Sequence, residues 1–254
     1  MRQDERVAFD TALERARRTA YPPGEFVGQE SFMRASEIRA LAVRAGIAPG
    51  VSVLDLCCGV AGPGRFVTAE LGCTYLGVDS SPSAIEIARE RAKGLGCRFE
   101  VARIPPLPPG RFDVVLLLET MLAFADKEPL LRAIYSVLAP GGRFAFTLEE
   151  GRPLTEAERR AMPDADTVWL APLNQLLALL ERTGFAVPWT EEWSDSHREM
   201  ADALTEAYAE DRAAIAAEVG ERAVAELLAA HRLWVDWLGT GRVRKFAIVA
   251  EKLT

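Results

Sequence analysis

The stretch "VSVLDLCCGVAGPG" (Val51–Gly64) decides how the chain is read. A short run of apolar and β-branched residues carries Asp55 near its end. The chain then turns through two adjacent cysteines and three glycines into a helical stretch near Arg65–Leu71. A strand feeding a glycine-rich turn and then a helix binds anions or nucleotides. Glycine lets the backbone approach the ligand closely, and the helix N-terminus offers free N–H groups. Asp79 closes the next apolar run, 20 residues after Gly59. An acidic residue there reaches the ribose hydroxyls of an adenosine cofactor; its plainer alternative is a cap on the following helix. No Gly-Lys-Ser/Thr follows, so a phosphate-gripping NTPase loop is not written. "CCGVAG" also lacks the G-x-G-x-x-G of a dinucleotide site.

Working outward, apolar runs and breakers alternate regularly. "CTYLGVD" (73–79), "CRFEVA" (97–102), "RFDVVLLLE" (111–119) and "RFAFTLEE" (143–150) read as strands. The third of these is unbroken, as in a parallel strand buried on both faces. Ser81 and Pro82 supply an N-cap and first helical residue for the helix after Asp79. Asp126 caps a helix carrying Leu130, Leu131, Ile134, Val137 and Leu138 on one face, and Gly184 stops another over 173–183. Strand and helix at this spacing predict a doubly wound α/β sheet. Two regions break the rhythm. Residues 1–46 predict two helices, Asp4–Arg18 and Ser31–Ala45, and about 192–241 predict a helical insertion before a final strand in "RVRKFAIVAEK".

The 254 residues are 49% hydrophobic with net charge −7, and basic residues are scattered among acidic ones. That balance argues against a nucleic-acid partner. No run approaches the roughly 20 apolar residues of a membrane span, and "MRQDERVAFDTALERARRTA" lacks the apolar segment of a secretory signal. A cytoplasmic protein with reduced thiols is expected from Cys57, Cys58, Cys73 and Cys97. Consecutive cysteines with no C-x-x-C pair or nearby histidine do not compose a metal site, which leaves packing or cofactor-lining thiols as the better reading.

With these residues in view, the loop resembles motif I of class I S-adenosylmethionine (SAM)-dependent methyltransferases. That motif is a strand with an acidic residue followed by G-x-G-x-G. Here the acid is Asp55 and the three small positions are Cys57, Gly59 and Ala61, so two glycines are replaced. The resemblance extends through "FDVVLLLETMLAFADKEPLLRAIYSVLAPGGRFAFT", with its L-x-P-G-G turn at Leu138–Gly142, and by order of elements to a terminal antiparallel hairpin. It implies a seven-stranded Rossmann-like sheet, with residues 1–46 as a helical lid segment and 47–254 as the SAM-binding domain. The layout is similar to that of small-molecule methyltransferases of the phosphoethanolamine and sarcosine/dimethylglycine group. The phosphoethanolamine enzymes carry a catalytic histidine after the fourth strand; this chain has "ETMLAFAD", with Phe124 near that place. Their substrate and their Tyr–His chemistry are therefore not carried over.

The resemblance implies cofactor contacts from Asp55, Cys57, Gly59 and Ala61, Asp79 on the ribose, and Ser80, Arg103 and Ile104 beside the adenine. Glu119, after the fourth strand, is placed where cofactor and acceptor meet, and with His197 it is a candidate catalytic residue. The plainer reading of His197 is a surface position at a helix start. Acceptor-side candidates are Tyr21, Phe26 and Gln29 in the lid, Glu149 after the fifth strand, Trp169, and Trp193 at the insertion. Their loops cluster at the carboxyl ends of strands, the ligand edge of an open α/β sheet. The expected function is methyl transfer to a small acceptor by in-line displacement. Two other readings stay open: a non-catalytic SAM-binding module whose insertion serves a partner, and a nicotinamide-dependent oxidoreductase. The apolar insertion also suits a homodimer contact.

Overall fold

The computed structural model describes residues 11–253. The sheet is assembled from β1 (Ser52–Leu56), β2 (Thr74–Asp79), β3 (Cys97–Val101), β4 (Phe112–Leu117), β5 (Leu138–Glu150), β6 (Phe185–Glu192) and β7 (Arg244–Lys252). Their spatial order is β3-β2-β1-β4-β5-β7-β6, with β7 antiparallel to both neighbours and the pairs from β3 through β5 parallel. β1 and β4 occupy the middle, which is why their side chains are buried on both faces.

The helices are α1 (Ala12–Ala20), α2 (Ala35–Arg44), α3 (Gly62–Leu71), α4 (Pro82–Arg91), α5 (Glu128–Val137), α6 (Glu156–Ala161), α7 (Leu173–Thr183), α8 (Ser194–Glu210), α9 (Arg212–Val219) and α10 (Glu221–Gly239). α4 starts where its signals place it: the Ser81 hydroxyl accepts from Ala84 N at 3.2 Å, and Pro82 follows. α7 ends at Gly184 in the left-handed region, φ 104°. Asp126 accepts from Glu128 N at 3.0 Å, one residue further from α5 than a standard cap.

Two apolar layers sandwich the sheet. One face buries Ile38 and Leu41 of α2, Val67 of α3 and Ile85 of α4 against Val53, Val114 and Val249. The other packs Leu130 and Ile134 of α5 and Leu176 and Leu180 of α7 against Leu54, Val115 and Phe146. α2 thus packs into the core of the sheet. Its amphipathic stripe finds the strands, and Met33 and Val27 just before it join the same layer. α1 instead joins the insertion: Ala12, Ala16 and Tyr21 pack against Met200, Leu204 and Tyr208 of α8 and Val224 and Leu228 of α10 in a separate apolar cluster. The start of the expected first helix, 4–10, lies outside the described residues. No helix among the described residues is long and apolar enough to cross a membrane.

Candidate active site

The loop after β1 keeps the backbone that glycines would adopt. Cys57, Gly59 and Ala61 all have positive φ, at 57°, 52° and 59°. For Cys57 and Ala61 this left-handed geometry costs on the order of 1–2 kcal/mol each, strain of the kind that collects at functional sites. Smallness at the neighbouring positions is steric. A Cβ on Gly62 would lie 2.3 Å from the Gly28 carbonyl, and one on Gly64 would lie 2.0 Å from the Tyr75 hydroxyl. Cys58 is packed onto Gly77, where a Cβ would come within 2.8 Å of its sulfur. Burial pushes the Cys57 thiol up to about 12 and the Cys58 thiol higher still. All four cysteines are free. The pair therefore serves as small protonated residues of a loop.

Asp55 is buried under this loop and accepts a hydrogen bond from the Tyr75 hydroxyl at 2.5 Å. Burial raises its carboxyl from an ordinary 3.8 to about 7; the Tyr75 bond pulls the other way, and Asp79 adds to the rise. The folded state thus holds a proton that the unfolded chain releases above about pH 4. The associated stability is complete below that pH and is lost as pH rises through about 7. Urea titrations of the ligand-free protein should show wild type losing roughly 2–4 kcal/mol between pH 4 and 7 relative to Asp55→Asn. Parallel pH profiles for the two proteins would sink this assignment.

Asp79 accepts from Gly59 N and Ser81 N, both at 2.9 Å, so its carboxylate ties the loop to the end of β2. Ser80 and Arg103 are exposed at the carboxyl ends of β2 and β3, while Ile104 packs on the same apolar layer as Cys57. A cavity of about 200 Å³ opens over the loop. It is lined by Asp55, Cys57, Gly59, Ala61, Glu119 and, from the segment before α2, Glu30. Gly59 faces this space: a Cβ there would meet only the Glu30 carboxylate, at 3.8 Å.

A second cavity, of about 350 Å³, lies between the sheet edge and the helices outside it. Its polar wall is a buried ion cluster. Lys245 of β7, 2% exposed, lies 2.5 Å from Glu119 Oε1 and also hydrogen-bonds Glu149 Oε1. Burial alone would lower the Lys245 ammonium; Glu119 and Glu149 outweigh it and hold it above its ordinary value. Burial pushes the Glu149 carboxyl up, against the pull of Lys245, and Glu149 Oε2 has no partner. Glu119 stands at φ 58°, held by its N–H donating to the Thr147 hydroxyl at 2.7 Å and by that hydroxyl donating to its Oε1 at 3.0 Å.

His197 is fully buried in the first turn of α8, which corrects the surface reading. Its Nδ1 lies 3.9 Å from Glu119 Oε2 and its Nε2 lies 3.7 Å from Glu37 Oε2; neither nitrogen has a hydrogen-bond partner. Burial, with Lys245 and Arg34 adding to it, lowers its pKa well below the usual value, so the imidazole is neutral.

The acceptor-side candidates fare unevenly by position. Glu149 lines the larger cavity. Tyr21, Phe26, Gln29, Trp169 and Trp193 do not line either cavity. The Tyr21 hydroxyl donates to Ser31 O, and the Gln29 amide donates to Glu25 O and Met33 O, so both shape the segment before α2. Phe26 packs near Tyr21 with ring centroids 5.5 Å apart. Trp169 donates its indole N–H to Asp166 O and carries the Arg159 guanidinium over its ring at 4.5 Å. Trp193 is buried and stacked behind His197. Residues that sequence reasoning passed over do line the larger cavity: Arg17, Phe32, Tyr208, His231 and Lys245. One signal was available for Lys245. In the antiparallel β5–β7 pair "EE" of β5 faces "RK" of β7, with Glu149 opposite Lys245 and Glu150 opposite Arg244.

Comparison with known proteins agrees with this architecture. The methyltransferase domain family matches residues 47–198, more than half the chain. Phosphoethanolamine N-methyltransferase 3 of Arabidopsis thaliana is 37% identical over 103 residues, covering 39% of this chain and 21% of that protein. The chain thus spans about a fifth of the length of that relative. Among solved structures, Haemonchus contortus phosphoethanolamine N-methyltransferase 2, in complex with phosphomonomethylethanolamine and S-adenosylhomocysteine (SAH), superposes with TM-score 0.74 at 22% identity. The match covers 86% of this chain and 53% of that one. The [4+2]-cyclase SpnF superposes with TM-score 0.76 at 21% identity, covering 96% and 92%. The chain belongs to the methyltransferase domain family and has the class I fold.

The cofactor of that family is SAM, and the smaller cavity suits it chemically. Glu30 and Glu119 supply the carboxylates of its wall, beside the partly protonated Asp55, and its lining includes no lysine or arginine. Such a wall favours a sulfonium cation and disfavours the pyrophosphate of a nicotinamide dinucleotide. The residues that would hold SAM are the backbone of Cys57, Gly59 and Ala61, with Asp79 at the strand end.

Proposed function

We propose that this protein transfers a methyl group from SAM to a small molecule seated in the larger cavity. One observation carries the reading: Glu119, Glu30 and Ser31 line both cavities, so the two spaces meet at the end of β4. When bound, SAM supplies an electrophilic methyl group on a positively charged sulfur. The protein's own task is to hold the acceptor in line with that group and keep water away. Residues 11–34 and helices α8 to α10 act as the roof, with 47–254 as the catalytic domain. Arg17 of α1 strengthens the roof by binding Glu30 at 2.6 Å and Tyr208 of α8 at 3.1 Å.

Asp79 binds the ribose, while Ser80, Arg103 and Ile104 form the adenine end. Glu119 is the residue at the meeting point. Lys245 and Thr147 fix its Oε1 and leave Oε2 toward His197, free to take up a proton where the acceptor must lose one. His197, being neutral, accepts or passes a proton and does not carry a standing charge. Stacking on Trp193 and an edge contact from Phe32 hold its ring.

The fold alone does not select methyl transfer, since a protein named as a [4+2]-cyclase shares it. Calorimetric titration with SAM, SAH and NAD tests the reading. Micromolar binding of the first two is expected. Asp79→Ala should weaken it by about ten- to a hundredfold, the value of a hydrogen bond to a charged group. Asp79→Asn, which keeps the shape of the loop anchor, controls for simple unfolding and should fall between. Tight NAD binding, or unchanged SAM affinity in Asp79→Ala, would refute the assignment.

A further inference from the structure

The larger cavity also restricts what its occupant can be. It is walled on most sides by Leu204, Leu227, Trp234, Leu238 and Val243, with Phe32 projecting between the two histidines. Its size is that of a pocket for a compact organic molecule. Of its charged residues, Glu30 and Glu119 also line the smaller cavity. Among the lining residues there are three carboxylates, Glu30, Glu119 and Glu149, against two cations, Arg17 and Lys245. Both cations are already engaged: Arg17 with Glu30, and Lys245 with Glu119 and Glu149. The histidines add no charge. His197 is buried and neutral, and burial likewise lowers His231, whose Nδ1 donates to Leu227 O at 2.9 Å and leaves Nε2 as an acceptor.

Against that wall stand buried polar atoms that nothing in the protein satisfies: Glu149 Oε2 and both ring nitrogens of His197. Such atoms cost roughly 1–3 kcal/mol apiece while they remain unpaired, and a ligand that pairs them recovers that cost. A carboxylate oxygen can be satisfied only by a donor.

From this juxtaposition we infer that the cavity takes a neutral, largely apolar acceptor bearing a hydroxyl or amine N–H near the reacting end, placed to donate to Glu149 Oε2 beside His197, and that it rejects phosphorylated acceptors. The inference rests on the reading of this space as the acceptor site. It also separates this chain from its phosphoethanolamine relatives. A phosphate entering here would meet three carboxylates with no uncommitted cation among the lining residues, and like charges at close quarters cost several kcal/mol. A hydroxyl, by contrast, can donate to the unpaired Glu149 Oε2.

The test uses the full chain and begins by titrating SAH. Matched probes are then titrated into the SAH-loaded protein at pH 7: 2-naphthol and the aryl amine 5-aminoindane, both neutral, for the donor class, their O-methyl ether and N,N-dimethyl counterparts, and 2-naphthyl phosphate. The expected result is that at least one donor-bearing probe binds at least tenfold tighter than its methylated counterpart and a hundredfold tighter than the phosphate. In Glu149→Gln, the donor preference should shrink to less than threefold. Equal or tighter binding of the phosphate would overturn the inference. So would equal affinity for donor and methylated probes, or binding of none of them while SAH still binds. If SAH itself fails to bind, the methyltransferase reading falls instead; the same probes titrated into free protein then decide the acceptor class by the same ranking.

Discussion

Lys245→Met should lower the stability of the protein by about 3–5 kcal/mol, the cost of leaving buried charge without its partner. Lys245 is the single ammonium between Glu119 and Glu149, both largely buried. Methionine fills much of the space but offers no donor. Two carboxylates then face one another, and one must take up a proton. Denaturant titration at pH 7 measures the loss. Adding Glu149→Gln should return more than half of it, because one of the opposed charges is gone; a simple packing defect would not be rescued that way. A loss below about 1 kcal/mol would mean that the cluster is not ionised in the folded protein.

The second large effect falls on Glu119. Methyl-labelled SAM incubated with a metabolite extract should label product about 10²–10⁴-fold more slowly with Glu119→Gln than with wild type. The variant should keep its fold, since Lys245 retains Glu149. The backbone supplies an independent check. At φ 58° any L side chain is strained, and glycine is not. Glu119→Gly should therefore be about 1 kcal/mol more stable than Glu119→Ala while being equally slow. Strain of this kind collects at functional sites and supports the reading of Glu119 as a residue of the chemistry. If Glu119→Gln labels product at the wild-type rate, Glu119 is a structural residue and the meeting of the cavities lies elsewhere in function.

The two predictions share a cause. Strands β4, β5 and β7 end side by side in the sheet, and each contributes one member of the Glu119–Glu149–Lys245 cluster at that edge. The two cavities thereby meet at Glu119, with Glu30 and Ser31 on the same boundary. The anionic smaller cavity also bears on the oxidoreductase alternative, which needs cations or a phosphate-binding glycine pattern and has neither in the lining of that cavity.

Local signals in the sequence were enough for the sheet. Alternating strands and helices, the Ser81–Pro82 start, the Gly184 stop and the unbroken β4 run each depend on residues within a few positions of one another. The loop was legible for the same reason, even with Cys57 and Ala61 in place of glycine, because the strand, its acid, the small residues and Gly62 and Gly64 stand within a few positions of one another. The larger cavity was not. Arg17, Phe32, Glu149, Tyr208, His231 and Lys245 come from six separate segments that meet only when α1 and the insertion close over the sheet edge. Nothing near Tyr21 or Gln29 reveals that they turn inward to hold their own segment, and nothing near His197 reveals its burial. Burial, and with it every charge state at this site, is set by what packs on top of a residue. Sequence determined the elements and the cofactor loop; tertiary packing decided which carboxylates share a lysine and which polar atoms were left for a ligand to satisfy.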